Sequence, residues 1–309
     1  MPSWPLVGVD IGGTKTRVLV VRDDEGGAAS VPDIVVPTAS WRPDEREPDG
    51  GRLAEVIRGR QSLDEPISLG VGANGRDTRE QCEEFAADLR QYVSGSVVVV
   101  NDAELLVPAA GLGVGIGLVV GTGSIVVGQD DSGALLTAGG WGWVLGDPGS
   151  APGLVRDAAR AVLADRDAGR EPDLLGDRLM DAFDVTSLVE LGYAMTAARE
   201  ITDWSVHAHV VFDAADAGSE RAAQVVEDSA RQLAAAVGQL VRRGAQGNCV
   251  VTAGGVITAR ERLSDAFKRH LADTEPGLQV RVLNRAPVYG AVELARRAID
   301  QANTKLSAG

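Results

Sequence analysis

The sequence predicts an α/β protein built of two related lobes. A short apolar run from Leu6 to Ile11 ends in a glycine turn and is followed by a second β-branched run, Val18 to Val21. The same unit of strand, glycine turn and strand recurs from Leu118 to Val127. Such recurrence indicates an internal duplication; the alternative is that two unrelated hairpins share common turn chemistry. Strands that alternate with helices farther along the chain complete the α/β pattern.

The size and composition of the chain agree with two folded lobes. Its 309 residues exceed the length at which a single hydrophobic core usually keeps growing. Hydrophobic residues make up 44% and charged residues 24% of the chain, which is typical of globular rather than disordered proteins. We therefore expect each lobe to bury a core of its own.

The charge and cysteine content restrict the partners and the compartment. A net charge of -14 argues against nucleic acid and anionic membranes, because such binding needs a surplus of Lys and Arg. Cys82 and Cys249 are the only cysteines, which supports neither a disulfide framework nor a four-ligand metal site. No apolar run approaches the ~20 residues of a membrane-spanning helix, and the N-terminus lacks a signal-peptide pattern. We expect a cytoplasmic protein with small-molecule partners.

Apolar runs and capping residues predict the remaining elements. Val97 to Val100 is a strand that ends at Asn101-Asp102, where a helix can begin. The strand Cys249 to Val251 leads to the glycine pair Gly254-Gly255. The other predictions are a helix from Ser219 to Arg243, a helix through about Leu271 with Thr258 and Glu261 as its capping box, a last helix from Pro287 to about Ile299, and surface loops from Ser40 to Gly51 and from Ala168 to Asp173.

The segment Asp10-Ile-Gly-Gly-Thr-Lys-Thr16 has the chemistry of a phosphate-binding turn. Its glycines allow backbone N–H groups to approach phosphate oxygens, and the hydroxyl groups of Thr14 and Thr16 add donors. Asp10 can hold a hydrated Mg²⁺. The segment is not a Walker A loop, and it is not a dinucleotide fingerprint because a strand rather than a helix follows. The alternative is a plain glycine hairpin with a surface aspartate.

Two further glycine segments could bind the same nucleotide. Gly121-Thr122-Gly123-Ser124 repeats the turn chemistry of the first hairpin, and the two turns together could clamp the β- and γ-phosphates of a triphosphate. Gly254-Gly255 after a buried strand could let an adenosine ring lie against the backbone. In isolation, an ordinary turn explains each of these segments at least as well.

Asp102 is the candidate general base. A carboxylate at a strand end occupies a usual place of catalytic groups in α/β folds and can accept the proton of an attacking hydroxyl. The alternative is a helix N-cap, and both roles can coexist. We interpret Glu104 as a solvated or cap-side carboxylate.

The segment from Gly139 to Ser150 is a candidate sugar-binding loop, because it carries Trp141 and Trp143 among several glycines. Proteins bind sugars through aromatic faces, exposed backbone groups and carboxylates such as Asp147. A packed aromatic corner is the alternative. The three histidines lack the spacing of a metal site, and no Gly-x-Ser-x-Gly element supports a serine hydrolase.

Together these motifs resemble the actin-like ATPase superfamily, which includes hexokinases and many sugar kinases. Within it, the segments Gly139 to Ser150 and Gly72-Ala-Asn-Gly75 are similar to the N-acetylglucosamine kinase branch of the BadF/BadG/BcrA/BcrD ATPase family. The resemblance implies two ribonuclease-H-like lobes around a central cleft, 1–101 and 102–288, with a C-terminal helix, 289–309, that returns to the first lobe. It also implies a homodimer.

The activity implied by the resemblance is ATP-dependent phosphorylation of an amino sugar, N-acetylglucosamine or glucosamine, at its 6-hydroxyl. Asp102 would be the base, and Asp10 would act on Mg²⁺ through water. The implied ATP contacts are Gly12, Gly13, Thr14, Lys15, Thr16, Gly121, Thr122, Gly123, Gly254 and Gly255. The implied sugar contacts are Asn74, Gly75, Asp102, Trp141, Gly142 and Asp147.

Two departures from the family pattern concern the sugar. The family usually has Gly-Asp-Glu-Gly-Ser where this chain has Gly146-Asp-Pro-Gly-Ser150, so a carboxylate is missing and Pro148 stiffens the loop. The segment from Ser40 to Gly51 lacks the asparagine expected after the third strand, although Trp41 could replace part of its contacts. Neither departure affects the phosphate turns or Asp102.

Other functions fit the same superfamily. An activator ATPase of this family would bridge an iron–sulfur cluster through cysteines, and Cys82 and Cys249 do not supply a convincing set. A non-catalytic sugar sensor would usually carry a DNA-binding segment, which we do not expect before Leu6. A polymerising actin-like protein is a further alternative.

Overall fold

The strands of the protein form two five-stranded sheets, and the chain divides into two compact units. The computed structural model describes residues 4–24, 27–42, 49–171, 173–197 and 200–307. The first unit comprises the described residues up to Gly117 and from Leu283 onward, and the second comprises Leu118–Val282. This architecture confirms the predicted α/β class.

The first sheet combines an antiparallel meander with two parallel strands. Its strands are β1 (Leu6–Ile11), β2 (Lys15–Asp24), β3 (Gly27–Pro37), β4 (Ile67–Ala73) and β5 (Gly95–Val100). The strand order is β3-β2-β1-β4-β5; β2 is antiparallel to β1 and β3, whereas β4 is parallel to β1 and β5. The apolar runs that predicted β1 and β5 therefore mark strands of one sheet.

Two helices cover one face of this sheet and build the core of the first unit. The helices before the second sheet are α1 (Gly50–Arg58), α2 (Arg79–Leu89) and α3 (Leu106–Ala109), with 3-10 helices at Thr38–Ser40 and Asp102–Leu105. Leu53 and Ile57 of α1 and Phe85 of α2 belong to a fully buried cluster with strand residues such as Val9 and Val71. Burial of such side chains is the main favourable term in folding.

The second sheet repeats the strand order of the first. Its strands are β6 (Ile116–Val120), β7 (Ser124–Gln129), β8 (Leu135–Gly139), β9 (Cys249–Ala253) and β10 (Gln279–Val282). The order β8-β7-β6-β9-β10 corresponds strand for strand to β3-β2-β1-β4-β5. The predicted recurrence of strand, glycine turn and strand is therefore confirmed as a duplicated sheet topology.

Most helices of the second unit lie between β8 and β9. They are α4 (Ala151–Asp167), α5 (Leu174–Ala182), α6 (Leu188–Ala197), α7 (Thr202–Ser205), α8 (Ala208–Asp216) and α9 (Glu220–Arg242), and α10 (Gly255–Ala259) and α11 (Glu261–Thr274) follow β9. The predicted long helix is α9. Its N-cap is Ser219, whose side chain accepts a hydrogen bond from the Ala222 N–H, and its apolar residues recur at helical spacing on the buried face.

The last helix, α12 (Val288–Ser307), packs on the first sheet at very short range. A Cβ atom on Gly70 of β4 would lie 2.0 Å from the Ala291 carbonyl oxygen of this helix, and a Cβ atom on Gly290 would lie 2.1 Å from the Leu105 carbonyl oxygen. Both positions therefore require glycine. Ser68 adds a buried hydrogen bond from its hydroxyl to the Ala295 carbonyl, at 2.7 Å.

One predicted helix start is wrong. Thr258 does not cap the helix that contains Glu261; it lies inside the short helix α10, and its hydroxyl donates to the Gly254 carbonyl at 2.8 Å. The N-cap of α11 is Arg260, without a side-chain hydrogen bond. The reason is that the backbone is already helical from Gly255 onward. Thr258 is therefore an internal residue of α10 and cannot act as the N-cap of the next helix.

Two predicted loops lie partly outside the described residues. In the segment from Ser40 to Gly51, residues 43–48 are outside, Trp41 and Arg42 are buried, and α1 already begins at Gly50. In the segment from Ala168 to Asp173, residue 172 is outside. In the described part of the chain, no helix combines the length and apolarity that crossing a membrane requires.

Candidate active site

The parallel strands β1, β4 and β5 bring the predicted residues of the first unit to one edge of the sheet. Parallel strands present their carboxyl ends at the same edge, which is where α/β folds bind ligands. Gly12 follows β1, Asn74 follows β4, and Asn101 with Asp102 follows β5. The Asn74 N–H donates to the Ile11 carbonyl at 2.8 Å, so the ends of β1 and β4 are joined directly.

The turn between β1 and β2 presents free backbone donors. The Gly12 N–H donates to the Lys15 carbonyl at 2.9 Å and closes the turn. Gly13, Thr14 and Lys15 are exposed. Among the described residues, no backbone carbonyl accepts the N–H groups of Gly13 and Thr14. These two N–H groups can therefore bind an anion such as a phosphate.

Thr16 differs from the other residues of this segment because it is fully buried. Its hydroxyl oxygen accepts a hydrogen bond from the indole N–H of Trp41 at 3.0 Å and lies 3.0 Å from the Thr38 hydroxyl. The Thr38 hydroxyl in turn donates to the Gly12 carbonyl at 2.8 Å. The structure therefore places Thr16 beneath the turn and not among its exposed donors. It also places Trp41 in the core, with its only polar group occupied.

Asp10 lies near the end of β1, opposite Arg17 of β2. Burial raises the pKa of its carboxyl to about 6, and the Arg17 charge opposes this rise only in part. A carboxylate in such surroundings gains from a nearby cation. The position is thus chemically suited to the role in Mg²⁺ binding that the sequence suggested.

Asp102 is the first residue of a 3-10 helix, but it does not cap it. The N-cap is the neighbouring Asn101, whose side-chain oxygen accepts the Ala103 N–H at 3.0 Å. Burial, together with the nearby carboxylates of Asp10 and Asp77, raises the pKa of Asp102 to about 7, although the Ala103 N–H and the Asn74 side chain oppose the rise. The carboxyl group is therefore poised to exchange a proton near neutral pH.

Neighbouring side chains hold Asn101 and, through it, the start of the 3-10 helix. The Asn101 amide donates to the Asp77 carboxylate at 2.9 Å. Glu104 accepts the Asn101 N–H at 3.1 Å, completes a capping box and is buried against Arg79, which donates to both of its oxygens at 2.8 and 2.9 Å. Glu104 is thus a cap-side carboxylate, one of the two roles expected from the sequence.

Asn74 and Gly75 form the corner after β4. The Asn74 side chain hydrogen-bonds to the Asp102 carboxylate, and Gly75 has a φ of 75°, in the left-handed region that favours glycine. The buried Arg42 guanidinium donates to the Asn74 carbonyl at 3.0 Å. The structure therefore brings together Asn74 and Asp102, for which the family resemblance implies contacts with the same sugar.

The second unit brings its two glycine segments together in the same way. Gly121 follows β6 and Gly254 follows the adjacent strand β9. A Cβ atom on Gly121 would lie 3.5 Å from the Gly255 nitrogen. The Gly121 N–H donates to the Gly123 carbonyl at 2.8 Å, and Thr122 is exposed at the tip of the turn. Gly121 and the glycine pair after β9 are therefore neighbours in the second unit.

The loop between β8 and α4 separates its two tryptophans. Trp141 is 76% exposed, and the neighbouring Gly142 has a φ of 82°. Trp143 packs edge-on against Trp204, with ring centroids 4.7 Å apart. Arg156 of α4 supports the loop by donating to the carbonyls of Trp143 and Gly146. Only Trp141 therefore offers an aromatic face to a ligand.

Asp147 is buried beneath the second glycine turn. It is 4% exposed and has a φ of 56°, which is unusual for a residue other than glycine. Burial raises the pKa of its carboxyl, although the backbone N–H groups of Ser124 and Gly142 and the Arg156 charge oppose the rise, and its Oδ1 atom is buried without a hydrogen-bond partner among the described residues. A Cβ atom on Gly123 would lie 3.2 Å from one of its oxygens. Asp147 therefore lies against the Gly121 to Ser124 turn of its own unit.

The described residues contain no group of three or more His, Cys, Asp or Glu side chains that could hold a metal. Magnesium in phosphoryl-transfer enzymes needs only one or two carboxylates besides substrate phosphates and water, so the Asp10 position is compatible with it.

Sequence reasoning missed two residues that shape these turns. Thr38 gave no signal, because its role depends on how β3 ends beside the first turn. Arg156 likewise looked like one of many arginines on an amphipathic helix. Both contacts join segments that are distant in sequence, and no local pattern predicts them.

The sequence of the chain is similar to those of known proteins. The model of the BadF/BadG/BcrA/BcrD ATPase family matches residues 7–295. An N-acetylmuramic acid/N-acetylglucosamine kinase from Clostridium acetobutylicum is 29% identical over 247 residues, which cover 78% of this chain and 80% of the relative.

Solved structures show the same fold. A protein from Chromobacterium violaceum, provisionally assigned as an N-acetylglucosamine kinase, is similar with a TM-score of 0.68 and 22% identity, over 95% of this chain and all of that chain (100%). A ROK family glucokinase from Streptomyces griseus, in complex with glucose and AMPPNP, has a TM-score of 0.53 and 20% identity, over 95% and 99% of the two chains.

Proposed function

The chain belongs to the BadF/BadG/BcrA/BcrD ATPase family and is an ATP-dependent kinase, and we propose that it phosphorylates the 6-hydroxyl of an amino sugar with Asp102 as the general base. The observation that carries the proposal is the state of the Asp102 carboxyl. It stands at the end of β5 with a pKa raised to about 7, while Asn101 performs the capping that would otherwise engage it.

In the proposed reaction, the ionised Asp102 accepts the proton of the sugar hydroxyl as the hydroxyl oxygen attacks the γ-phosphorus of ATP. A new oxygen–phosphorus bond forms, the bond between the γ-phosphorus and the bridging oxygen breaks, and ADP and a sugar 6-phosphate leave. Asn74 orients the carboxylate through its side-chain hydrogen bond. Positioning and electrostatic stabilisation account for most of the catalysis in phosphoryl transfer.

The nucleotide contacts follow from the exposed backbone of the two turns. We assign the phosphates to the N–H groups of Gly13 and Thr14, with Gly12 and Lys15 completing the first turn, and to Gly121, Thr122 and Gly123 in the second unit. Gly254 and Gly255 would border the adenosine. When bound through Asp10, Mg²⁺ would neutralise charge on the phosphate oxygens.

The sugar contacts are proposed from chemistry and from the relatives. Asn74 and Gly75 adjoin Asp102, and Trp141 with Gly142 offers an exposed aromatic face. The relative from C. acetobutylicum is named for N-acetylmuramic acid and N-acetylglucosamine, which supports an N-acetylated amino sugar; glucosamine is the alternative. For Asp147, burial beneath the turn favours support of the loop over direct contact with the sugar.

The activator-type ATPase receives no support from the cysteines. Cys82 is buried in the core of the first unit, where burial raises the pKa of its thiol to about 11. A cluster ligand must be a thiolate. Cys249 belongs to the other unit, in β9.

The test is ADP release with a panel of sugars, namely N-acetylglucosamine, N-acetylmuramic acid, glucosamine, N-acetylmannosamine and glucose. We expect release above the sugar-free rate with an N-acetylated amino sugar, and a phosphorus–proton coupling in the product that identifies position 6. ATP binding without turnover on any sugar would instead indicate the non-catalytic sensor. The proposed homodimer is tested by sedimentation equilibrium, where a mass of 32.1 kDa would contradict it.

A further inference from the structure

A buried chain of hydrogen bonds connects the end of β3 to the first glycine turn. It runs from the Trp41 indole to the Thr16 hydroxyl at 3.0 Å, from there to the Thr38 hydroxyl at 3.0 Å, and on to the Gly12 carbonyl at 2.8 Å. Thr16, Thr38 and Trp41 are each at least 95% buried. Hydrogen bonds in such surroundings are stronger than in water, and a lost partner is costly.

The direction of this chain follows from counting protons. The indole nitrogen of Trp41 can only donate. The single hydroxyl proton of Thr38 goes to the Gly12 carbonyl, so the proton between the two threonines must come from Thr16. Thr16 therefore accepts from Trp41 and donates to Thr38. Its only proton is used, and it has none left for a phosphate oxygen.

A second contact ties the same segment to the turn. The Thr38 N–H donates to the Thr14 carbonyl at 3.0 Å, and the Thr38 carbonyl accepts the N–H groups of Trp41 and Arg42 at 3.2 and 2.9 Å. The carbonyls of both Gly12 and Thr14 are thus fixed by one residue. Because the peptide bond is planar, fixing the Gly12 carbonyl also fixes the direction of the Gly13 N–H.

We propose that Trp41, Thr16 and Thr38 are positioning residues that aim the N–H groups of the first turn at the nucleotide phosphates. The proposal rests on the assignment of this turn to the phosphates in the proposed function. It gives Thr16 a role other than a direct phosphate contact, and it gives Trp41 a role other than a sugar contact. The end of β3 thereby controls nucleotide affinity without contacting the nucleotide.

The experiment measures the dissociation constant of a non-hydrolysable ATP analogue and the KM values of ATP and sugar. Trp41→Phe keeps the ring and removes the N–H, and Thr38→Val keeps the shape and removes the hydroxyl. For each we expect nucleotide binding about tenfold weaker, which corresponds to about 1.4 kcal/mol, with the KM of the sugar unchanged. Thr38→Ser restores the hydroxyl and should recover wild-type affinity.

Ser68→Ala is the matched control. Ser68 is another fully buried hydroxyl of the first unit, and it bonds to Ala295 of α12. Its loss should lower the resistance to urea as the Thr38 variant does, but leave nucleotide affinity at the wild-type value. If Ser68→Ala weakens nucleotide binding as much as Trp41→Phe and Thr38→Val do, loss of stability explains all of the variants. This result would overturn the positioning role.

The remaining outcomes separate the inference from the proposed function. Trp41 and Thr16 act in series in the same line of hydrogen bonds. The double variant Trp41→Phe/Thr16→Val should therefore weaken nucleotide binding by less than the product of the effects of the two single variants. If the wild-type protein binds the nucleotide, and Trp41→Phe and Thr38→Val bind it with the same affinity, the positioning role alone is overturned. Failure of the wild-type protein to bind nucleotide would overturn both the positioning role and the assignment of the turn.

Discussion

At the end of β5, Asn101 and Asp102 are adjacent residues with different hydrogen-bond partners. Asn101 caps the 3-10 helix and is held by Asp77 and Glu104. Asp102 interacts with Asn74 and lies within electrostatic range of Asp10. From the sequence, either residue could have been the cap. The structure resolves the choice in favour of the residue without a charge, and this leaves the carboxylate for chemistry.

The raised pKa of Asp102 predicts an unusual dependence of activity on pH. The base must be ionised, so kcat/KM should fall as pH decreases through about 7, whereas an ordinary aspartate would keep the activity constant down to about pH 4. A profile of kcat/KM between pH 5 and 9 tests this. A kcat/KM that stays constant down to about pH 4 would contradict the raised pKa of the Asp102 carboxyl.

The same group also links stability to pH. A carboxyl whose pKa is higher in the folded than in the unfolded protein stabilises the fold at low pH, and this contribution is lost as pH rises through the folded pKa of about 7. In Asp102→Asn, the free energy of unfolding in urea should therefore decrease less steeply between pH 5 and 7 than in the wild type. An unaltered slope would mean that Asp102 does not titrate in this range.

Asp147 gives a third prediction for a single residue. Asp147→Asn keeps a side-chain oxygen near the N–H groups of Ser124 and Gly142, and asparagine tolerates a positive φ. The stability of this variant should be close to that of the wild type. Asp147→Ala removes the side-chain oxygen and places alanine at a φ of 56°, so it should cost about 1–3 kcal/mol in urea unfolding. Equal stability of the two variants would contradict the support role.

The sequence indicated the residue types of the site but not their burial. Asp102 follows an apolar strand and Asp10 lies near the end of another, so their place at the sheet edge could be predicted. Thr16 and Asp147 belong to the same motifs as exposed neighbours, yet both are buried. Whether such a residue faces a ligand or the interior depends on Trp41, Thr38 and other distant residues, which a local motif does not specify.

At the scale of elements, each unit supports its glycine turn from the segment that follows its third strand. In the first unit, Thr38 after β3 donates to the carbonyls of Gly12 and Thr14. In the second unit, the Ala151 N–H at the start of α4 donates to the Gly121 carbonyl at 2.9 Å. The duplicated topology thus also repeats a way of holding the turn, with different residues.

The glycine pair after β9 provides a prediction with an internal control. Gly254 has a φ of 108°, and its Cβ atom would lie 2.3 Å from the Val120 carbonyl oxygen, whereas a Cβ atom on Gly255 would meet nothing within 4 Å. Gly254→Ala should cost about 1–3 kcal/mol of stability, and Gly255→Ala should change it little. Urea unfolding of both variants tests this, and equal losses would contradict the close approach of β9 to β6.

Element boundaries were predicted less well than element types. The apolar run from Leu6 to Ile11 and the long helix after Ser219 agree closely with β1 and α9, because strong patterning and a cap define them. The capping box at Thr258 failed, since a short helix had already begun at Gly255. Capping signals identify a helix start only when the preceding backbone is not yet helical.

At the scale of the whole molecule, the two units share a sheet topology but differ in the helices added to it. The first unit is completed by α12, which packs against β1 and β4 where Gly70 allows close approach. The second carries the α4 to α9 insertion between β8 and β9. The duplication could be predicted from two glycine turns, whereas the insertion's packing depends on contacts across many helices that no repeated motif marks.

In the proposed reaction, Asp102 removes the proton from the sugar while the glycine turns hold the nucleotide. The most direct test of this reaction measures ADP release and nucleotide affinity for Asp102→Asn, with the sugar that the wild type uses best. We predict that sugar-dependent release falls by at least about 100-fold, while the dissociation constant of the ATP analogue stays close to the wild-type value. Full sugar-dependent turnover by Asp102→Asn would show that Asp102 is not the general base.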